Sequence, residues 1–198
     1  MDLKEHYQKL LAEHGDNHKA AQWADRASQE LRFQYLTEIA NLNDRLLLDF
    51  GCGTAHLATY LKDRGVVFDY IGVDIVPGLL DLAKRKHPEF RFGKMEDFKD
   101  IDVDYAFVCG VFNHKIPDNR GFYQQTIREL FNKVKKGVAF NMMSSYVDYY
   151  DDSLFYEKPE NVFSFIKEEI TDLITLRNDY RIKRNAPPFD FTVYLYKD

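Results

Sequence analysis

The sequence is short of the features that would mark an exported, membrane-bound or nucleic-acid-binding protein. Two cysteines, Cys52 and Cys109, in 198 residues are too few for a disulfide framework. No apolar run approaches the roughly 18 residues that a membrane span requires. The opening "MDLKEHYQKLLAEHGD" lacks the apolar core of a secretory leader, so the expected location is cytoplasmic, with no membrane partner. There is no Gly/Ser linker, repeat or low-complexity tract, and the length fits one domain that needs no metal or disulfide staple. Basic charge is also scarce, with a formal net charge of −5. Seven acids (Asp148, Asp151, Asp152, Glu157, Glu160, Glu168, Glu169) stand against Lys158 and Lys167 between Ser145 and Ile170. Lys133, Lys135 and Lys136 form a basic run that reads as a solvated helix end. A nucleic-acid partner, which calls for a basic face, is not expected.

What is present is a change of period along the chain. Tyr7, Leu10, Leu11 and His14 recur at helical spacing until "HGDN" interrupts them. Leu31, Tyr35, Leu36 and Ile39 make a second amphipathic stripe, with Ser28 as a candidate cap. After Asn43-Asp44 come short continuous apolar runs of the kind buried on both faces of a parallel sheet: "LLLDF" (46–50), "FDYIGVDI" (68–75), "EFRFG" (89–93), "VDYAFVCGVF" (103–112) and "KGVAFNMM" (136–143). Between them lie helical patterns: Leu57, Ala58 and Leu61; Leu79, Leu82 and Ala83 behind Pro77, which suits a helix's first turn; and Tyr123, Ile127, Leu130, Phe131 and Val134. Such alternation predicts an α/β fold with an open, mostly parallel sheet and helices on both faces. Near the end, "ITLRND" and "FDFTVYLY" are joined by about ten residues with no helical pattern, too short for a parallel crossover, so these two strands are expected to pair antiparallel.

Parallel sheets bind ligands beyond the carboxyl ends of their strands, which directs attention to "LLLDFGCGTAHL". Gly51 and Gly53 permit a tight turn and close backbone approach, and the helix start behind them attracts an anionic group such as a carboxylate. The dinucleotide fingerprint G-x-G-x-x-G needs glycine where this chain has His56, and no phosphate-loop motif follows. Asp49 would repel a pyrophosphate but suits a cation. Asp74, at the end of the second run, stands where an acid accepts hydrogen bonds from ribose hydroxyls. A ribose, no pyrophosphate and a nearby positive charge together describe S-adenosylmethionine (SAM).

With those residues in place, the chain from Leu46 to Asp198 resembles the class I SAM-dependent methyltransferases. The resemblance rests on "LLLDFGCGT", on "YIGVDI" ending past Asp74, on "GKMEDF" (93–98) and on "DVDYAFVCGVFN" (102–113), in that order and at these spacings. Ala55 departs from the family, which often has a third glycine there. The resemblance implies a Rossmann-like, seven-stranded sheet whose last strand is antiparallel, with SAM as cofactor and S-adenosylhomocysteine as product. It places Asp49, Gly51, Cys52 and Gly53 at the methionine part, Asp74 at the ribose, Ile75 on the adenine face, Met95, Glu96 and Asp97 at the adenine edge, and Cys109 beneath the cofactor. It gives Arg32 the cofactor carboxylate.

The acceptor is expected over the ends of the fourth and fifth strands, beneath a helical extension (residues 1–43) that covers the methyltransferase domain (44–198). His114 is the candidate base, Asn113 the orienting group, and Trp23 and Tyr146 the walls. "CGVFNHK" takes the place of the [DNS]-P-P-[YFW] found in adenine- and glutamine-directed enzymes. The expected acceptor is therefore a small molecule (a sugar, an amine or a secondary metabolite) methylated on oxygen or nitrogen, by a monomer or homodimer. A macromolecule-directed enzyme and a non-catalytic SAM-binding protein are the alternatives.

Overall fold

The computed structural model describes residues 3–15 and 25–198; Trp23, expected as a pocket wall, lies outside them. Helices α1 (Leu3–His14) and α2 (Arg26–Thr37) precede strand β1 (Arg45–Phe50). Then follow α3 (His56–Asp63), β2 (Phe68–Val73), α4 (Pro77–Lys86), β3 (Arg91–Gly93), β4 (Val103–Val108), α5 (Asn119–Lys133), β5 (Val134–Met143), α6 (Pro159–Glu169), β6 (Ile174–Arg177) and β7 (Asp190–Tyr196). Short 3-10 turns occupy Met95–Phe98 and Val111–Asn113.

The seven strands lie in the order β3-β2-β1-β4-β5-β7-β6. β1 is paired in parallel with both β2 and β4, so strand order reverses at β1. β7 enters between β5 and β6 and runs antiparallel to both, which is the arrangement expected for the chain's end.

The continuous apolar runs are explained by two cores, one on each face of the sheet. Leu48, Ile71, Ala106, Val108, Val138 and Phe140 join Tyr123, Ile127 and Leu130 of α5 and Val162 and Ile166 of α6. Leu47, Tyr70, Tyr105 and Phe107 join Phe33 and Leu36 of α2, Leu57 and Leu61 of α3, and Leu80 and Ala83 of α4. Neighbouring residues such as Leu47 and Leu48 therefore bury in opposite directions, each contributing about 1.5–3 kcal/mol of apolar burial.

Several local expectations are corrected. Ser28 is not the cap of α2. Asp25 is, its Oδ1 accepting the Ser28 N–H at 2.6 Å, while the Ser28 Oγ donates back to the Asp25 carbonyl. Val134 belongs to β5 rather than to the preceding helix, since α5 passes into β5 without a loop. Lys133 is no solvated helix end: it is buried and its Nζ donates to the Lys99 carbonyl at 2.9 Å. The acidic stretch is not one surface either. Glu157 is buried and takes Arg120 in a two-point pair, Nε to Oε2 at 2.7 Å and Nη2 to Oε1 at 3.0 Å. The rest of that stretch includes α6, which opens on Pro159 at its first turn.

Candidate functional site

The site grows out of the turn after β1. Gly51 has φ +76°, and a Cβ there would lie 2.4 Å from a methyl of Val111. Its N–H and that of Cys52 both donate to the Val73 carbonyl, at 2.8 and 3.0 Å, so the turn closes against the end of β2. Gly53 follows at φ +54° and donates its N–H to Asp74 Oδ2 at 2.9 Å. Ala55, also left-handed at φ 60°, ends the loop and starts α3 without a side-chain cap. The loop is thus fixed by backbone conformation, and α3 presents an N-terminus suited to an anionic group.

Asp74 accepts the Gly53 N–H on one oxygen and the Val76 N–H on the other, both at 2.9 Å. The Ile75 N–H also favours its charged form, and a carboxylate with about four lone-pair sites still has room for a further donor. Burial raises the Asp74 pKa, opposed by those backbone N–H groups. Asp49, at the end of β1, is buried and accepts the Tyr70 hydroxyl at 2.5 Å. Burial pushes its pKa up to about 7, against the Tyr70 hydrogen bond and with help from the Asp74 charge. A cation beside Asp49 would restore its ionisation.

These groups line a cleft of about 1160 Å³, together with Gly51, Cys52, Gly53, Ile75, Met95, Glu96, Cys109 and His114. Ile75 is 58% exposed on its wall, an apolar surface that a flat ring can cover. A second cavity of about 310 Å³ lies next to it; Tyr7, Gly110 and His114 line both. Asn113 and Arg32 line the second cavity and not the first. At the junction the Tyr7 hydroxyl and His114 Nε2 are 2.8 Å apart, and the rings meet edge to face. Burial, helped by the Asp74 charge, raises the Tyr7 pKa well above its ordinary value, so the phenol stays protonated. The Asn113 Oδ1 is buried and has no hydrogen-bond partner among the described residues.

Three expected site residues stand elsewhere. Arg32 lines the second cavity and not the cleft of the glycine loop. Its guanidinium is buried against Asp190 of β7, Nε to Oδ2 at 2.5 Å and Nη2 to Oδ1 at 3.2 Å, and Nη1 donates to the Ser28 carbonyl. Asp97 caps its own turn, Oδ2 accepting the Lys94 N–H at 2.8 Å, and lines neither cavity. Tyr146 is 56% exposed, bonds outward to Glu160 and also lines neither.

Two residues escaped the sequence reading. Asn141 of β5 donates its Nδ2 to Asp190 Oδ2 at 3.0 Å and accepts the Gly110 N–H on Oδ1 at 2.8 Å. A buried polar chain therefore runs from α2 through Arg32, Asp190 and Asn141 to Gly110, which lines both cavities with φ +75°. The available signal was an asparagine inside "VAFNMM" and an aspartate in a strand that proved to be internal.

A strand order reversing at β1, a glycine loop over that point and an acid ending β2 define a nucleoside-binding α/β enzyme. Comparison with known proteins narrows the class. Residues 48–140 match the family described as a methyltransferase domain. A Mycobacterium tuberculosis protein named as a methyltransferase, Rv1506c, is 28% identical over 160 residues, covering 75% of this chain and 91% of its own. The fold is shared with the CcbJ methyltransferase of Streptomyces caelestis (TM-score 0.66, 14% identity, 97% of this chain and 98% of that one). It is shared too with magnesium protoporphyrin IX methyltransferase of Synechocystis, solved with bound SAM (TM-score 0.61, 13% identity, 87% and 80%). The chain carries a methyltransferase domain over residues 48–140 and shares the fold of SAM-dependent methyltransferases, and its cofactor is SAM.

Proposed function

We propose that this methyltransferase acts on an oxygen or nitrogen of a small molecule held in the second cavity. The observation that carries this reading is the junction of the two cavities at Tyr7, Gly110 and His114, which puts an acceptor of limited size beside the cofactor cleft. In this reading Asp74 takes the ribose hydroxyls, Ile75 lies on the adenine, and Met95 and Glu96 edge it. Asp49, with Gly51, Cys52 and Gly53, faces the methionine ammonium, and the half-buried Cys109 supplies a small wall.

Bound there, the cofactor would supply a methyl group on a cationic sulfur, a leaving group that becomes a neutral thioether once the acceptor's lone pair has taken the methyl. The protein's part is alignment. Asn113 orients the acceptor, and His114 receives the proton that an alcohol or ammonium acceptor must lose. The segment 1–43 acts as a cover: α1 reaches α4, where a Cβ on Gly78 would lie 2.8 Å from Leu11, and it brings Tyr7 onto His114.

The test is methyl transfer from labelled SAM to a fractionated metabolite pool, set against bulk tRNA and DNA. Label in small molecules is the expected outcome; label in nucleic acid alone overturns it. Removal of residues 1–24, which spares the Arg32–Asp190 pair, is expected to lower turnover at least tenfold more than it lowers SAM affinity. Among the described residues no helix is long and apolar enough to cross a membrane.

A further inference from the structure

The second cavity can be read for the chemistry of its occupant. Its walls are mainly apolar, with Met143 at the end of β5, Val147 and Leu154 from the segment after it, and Ile182, Pro187 and Phe189 from the segment before β7. The polar groups nearby are mostly committed. The Arg32 guanidinium is held by Asp190, the Ser28 hydroxyl donates to Asp25, and the Tyr7 hydroxyl is paired with His114 Nε2; the Tyr156 hydroxyl accepts the Asp151 N–H at 3.1 Å and keeps its own proton to donate. Asp148 and Lys183 are exposed and opposite in charge, so they set no net preference for an ion. Asp151, part of the acidic cluster that suggested a cationic or hydroxyl-rich acceptor, instead takes the Ser153 hydroxyl and N–H, and neither it nor Asp152 lines the cavity. Against this background stands the Asn113 Oδ1, buried with no partner among the described residues. A buried acceptor left without a donor is costly, and a ligand that supplies one is selected over an analogue that lacks it.

We infer that the acceptor is a neutral, ring-sized, largely apolar molecule whose N–H or O–H is received by the Asn113 carbonyl oxygen, and not a sugar or a polycation. The inference rests on the second cavity being the acceptor site. Its volume, about 310 Å³, is at the small end of the range for ligand pockets. A polyol would leave most of its hydroxyls facing methylenes, whereas a ring with one donor loses nothing on entry.

Indole, a flat ring with a single N–H, serves as the probe, with 1-methylindole as the same ring lacking the donor and glucose as the polyol. Binding is followed by NMR line shifts of each probe with the full-length protein saturated with S-adenosylhomocysteine. Indole is expected to bind in the millimolar range, 1-methylindole about tenfold more weakly, and glucose undetectably. Asn113→Ala is expected to erase the difference between the two indoles. Ala186→Trp, which fills the second cavity from a residue that does not line the cofactor cleft, is expected to abolish indole binding and leave S-adenosylhomocysteine affinity unchanged.

Equal binding of the two indoles, tighter binding of glucose, or no binding of any probe to 10 mM overturns the inference about the acceptor. If small-molecule transfer from labelled SAM is seen together with one of those results, the acceptor class alone is wrong. If probes bind as expected but label reaches nucleic acid only, the acceptor-site reading beneath it is wrong instead.

Discussion

The two adjoining cavities are built in different ways. The cofactor cleft is framed by backbone: left-handed Gly51, Gly53 and Ala55, two amides on one carbonyl, and a carboxylate fixed by two more. That frame comes from β1, β2 and the turns that leave them, while Tyr7, Met95, Cys109 and His114 line the cleft's other sides. The second cavity is framed by side chains drawn from α1, α2, the turn after β4, the end of β5 and the segment after it, and the segment before β7. The first kind of site is written in a short stretch of sequence. The second exists only after distant segments have met.

The polar chain Arg32–Asp190–Asn141–Gly110 is where the second kind of construction supports the first, and breaking it is expected to have the largest effect. Asp190→Ala leaves a buried guanidinium without its carboxylate, Arg32 being 6% exposed. Loss of one partner of a buried pair costs about 3–5 kcal/mol, measurable as a drop in denaturation midpoint. Removing both charges together, with Arg32→Met and Asp190→Leu, is expected to recover much of that loss, because no charge is then stranded. Equal stability of wild type and Asp190→Ala would show that the chain bears no weight.

Asp74→Ala is next, and it tests the locally built cleft. The variant removes the acceptor for two backbone amides and, on the proposed reading, for the ribose hydroxyls, so cofactor affinity is expected to fall by roughly 2–4 kcal/mol, read by calorimetry with S-adenosylhomocysteine. Unchanged affinity would remove the ribose from this end of the cleft.

The same contrast explains what was legible. The sheet could be read because β1, β2, β4 and β5 are buried on both faces and so appear as unbroken apolar runs. The glycine loop could be read because its work is conformational, and only glycine does it cheaply. Arg32 was misread because a cation near the amino end of the chain fits a cofactor carboxylate as well as a buried aspartate 158 positions away. Tyr146, Asp151 and Asp152 were misread, while Asp148 does line the second cavity, because composition does not tell which way each residue of a loop faces. Helix α6 went unread because its apolar stripe, Val162, Phe165 and Ile166, sat inside a stretch dominated by acids.

A smaller effect separates the charge of the cleft from its shape. The folded pKa of Asp49, about 7, lies above its unfolded value of roughly 3.9. Between the two the folded protein holds the extra proton, so stability conferred by the neutral carboxyl is full below about pH 4 and is lost as pH rises through about 7. Ligand binding works in the opposite sense. A methionine ammonium selects the ionised form, so S-adenosylhomocysteine affinity is expected to rise about tenfold between pH 5.5 and 7.5, with proton release. Asp49→Asn is expected to flatten both profiles. A wild-type affinity that is level across this range would place the ammonium elsewhere.

The smallest effect concerns Ala55, the residue that departs from glycine in the loop. At φ 60° and ψ 41° it carries a side chain in the left-handed region, at a cost of about 1–2 kcal/mol. Its methyl is fully buried in the core shared with Leu57 and Phe33, which returns about 0.8 kcal/mol. Alanine also restricts the unfolded chain relative to glycine by about 0.4–1 kcal/mol. The opposing contributions nearly cancel, so Ala55→Gly is expected to change stability by less than about 1 kcal/mol and to leave cofactor affinity within threefold, since it is the loop's conformation that faces the ligand. Ala55→Val keeps the methyl but adds β-branching, which the left-handed region tolerates poorly, and extra volume in a filled core. A loss of about 2 kcal/mol or more is expected there, with weaker cofactor binding as the loop shifts. If valine proved as well tolerated as glycine in thermal denaturation and in calorimetry, the loop would not be held by backbone conformation, and the contrast between the two cavities would fail at its first term.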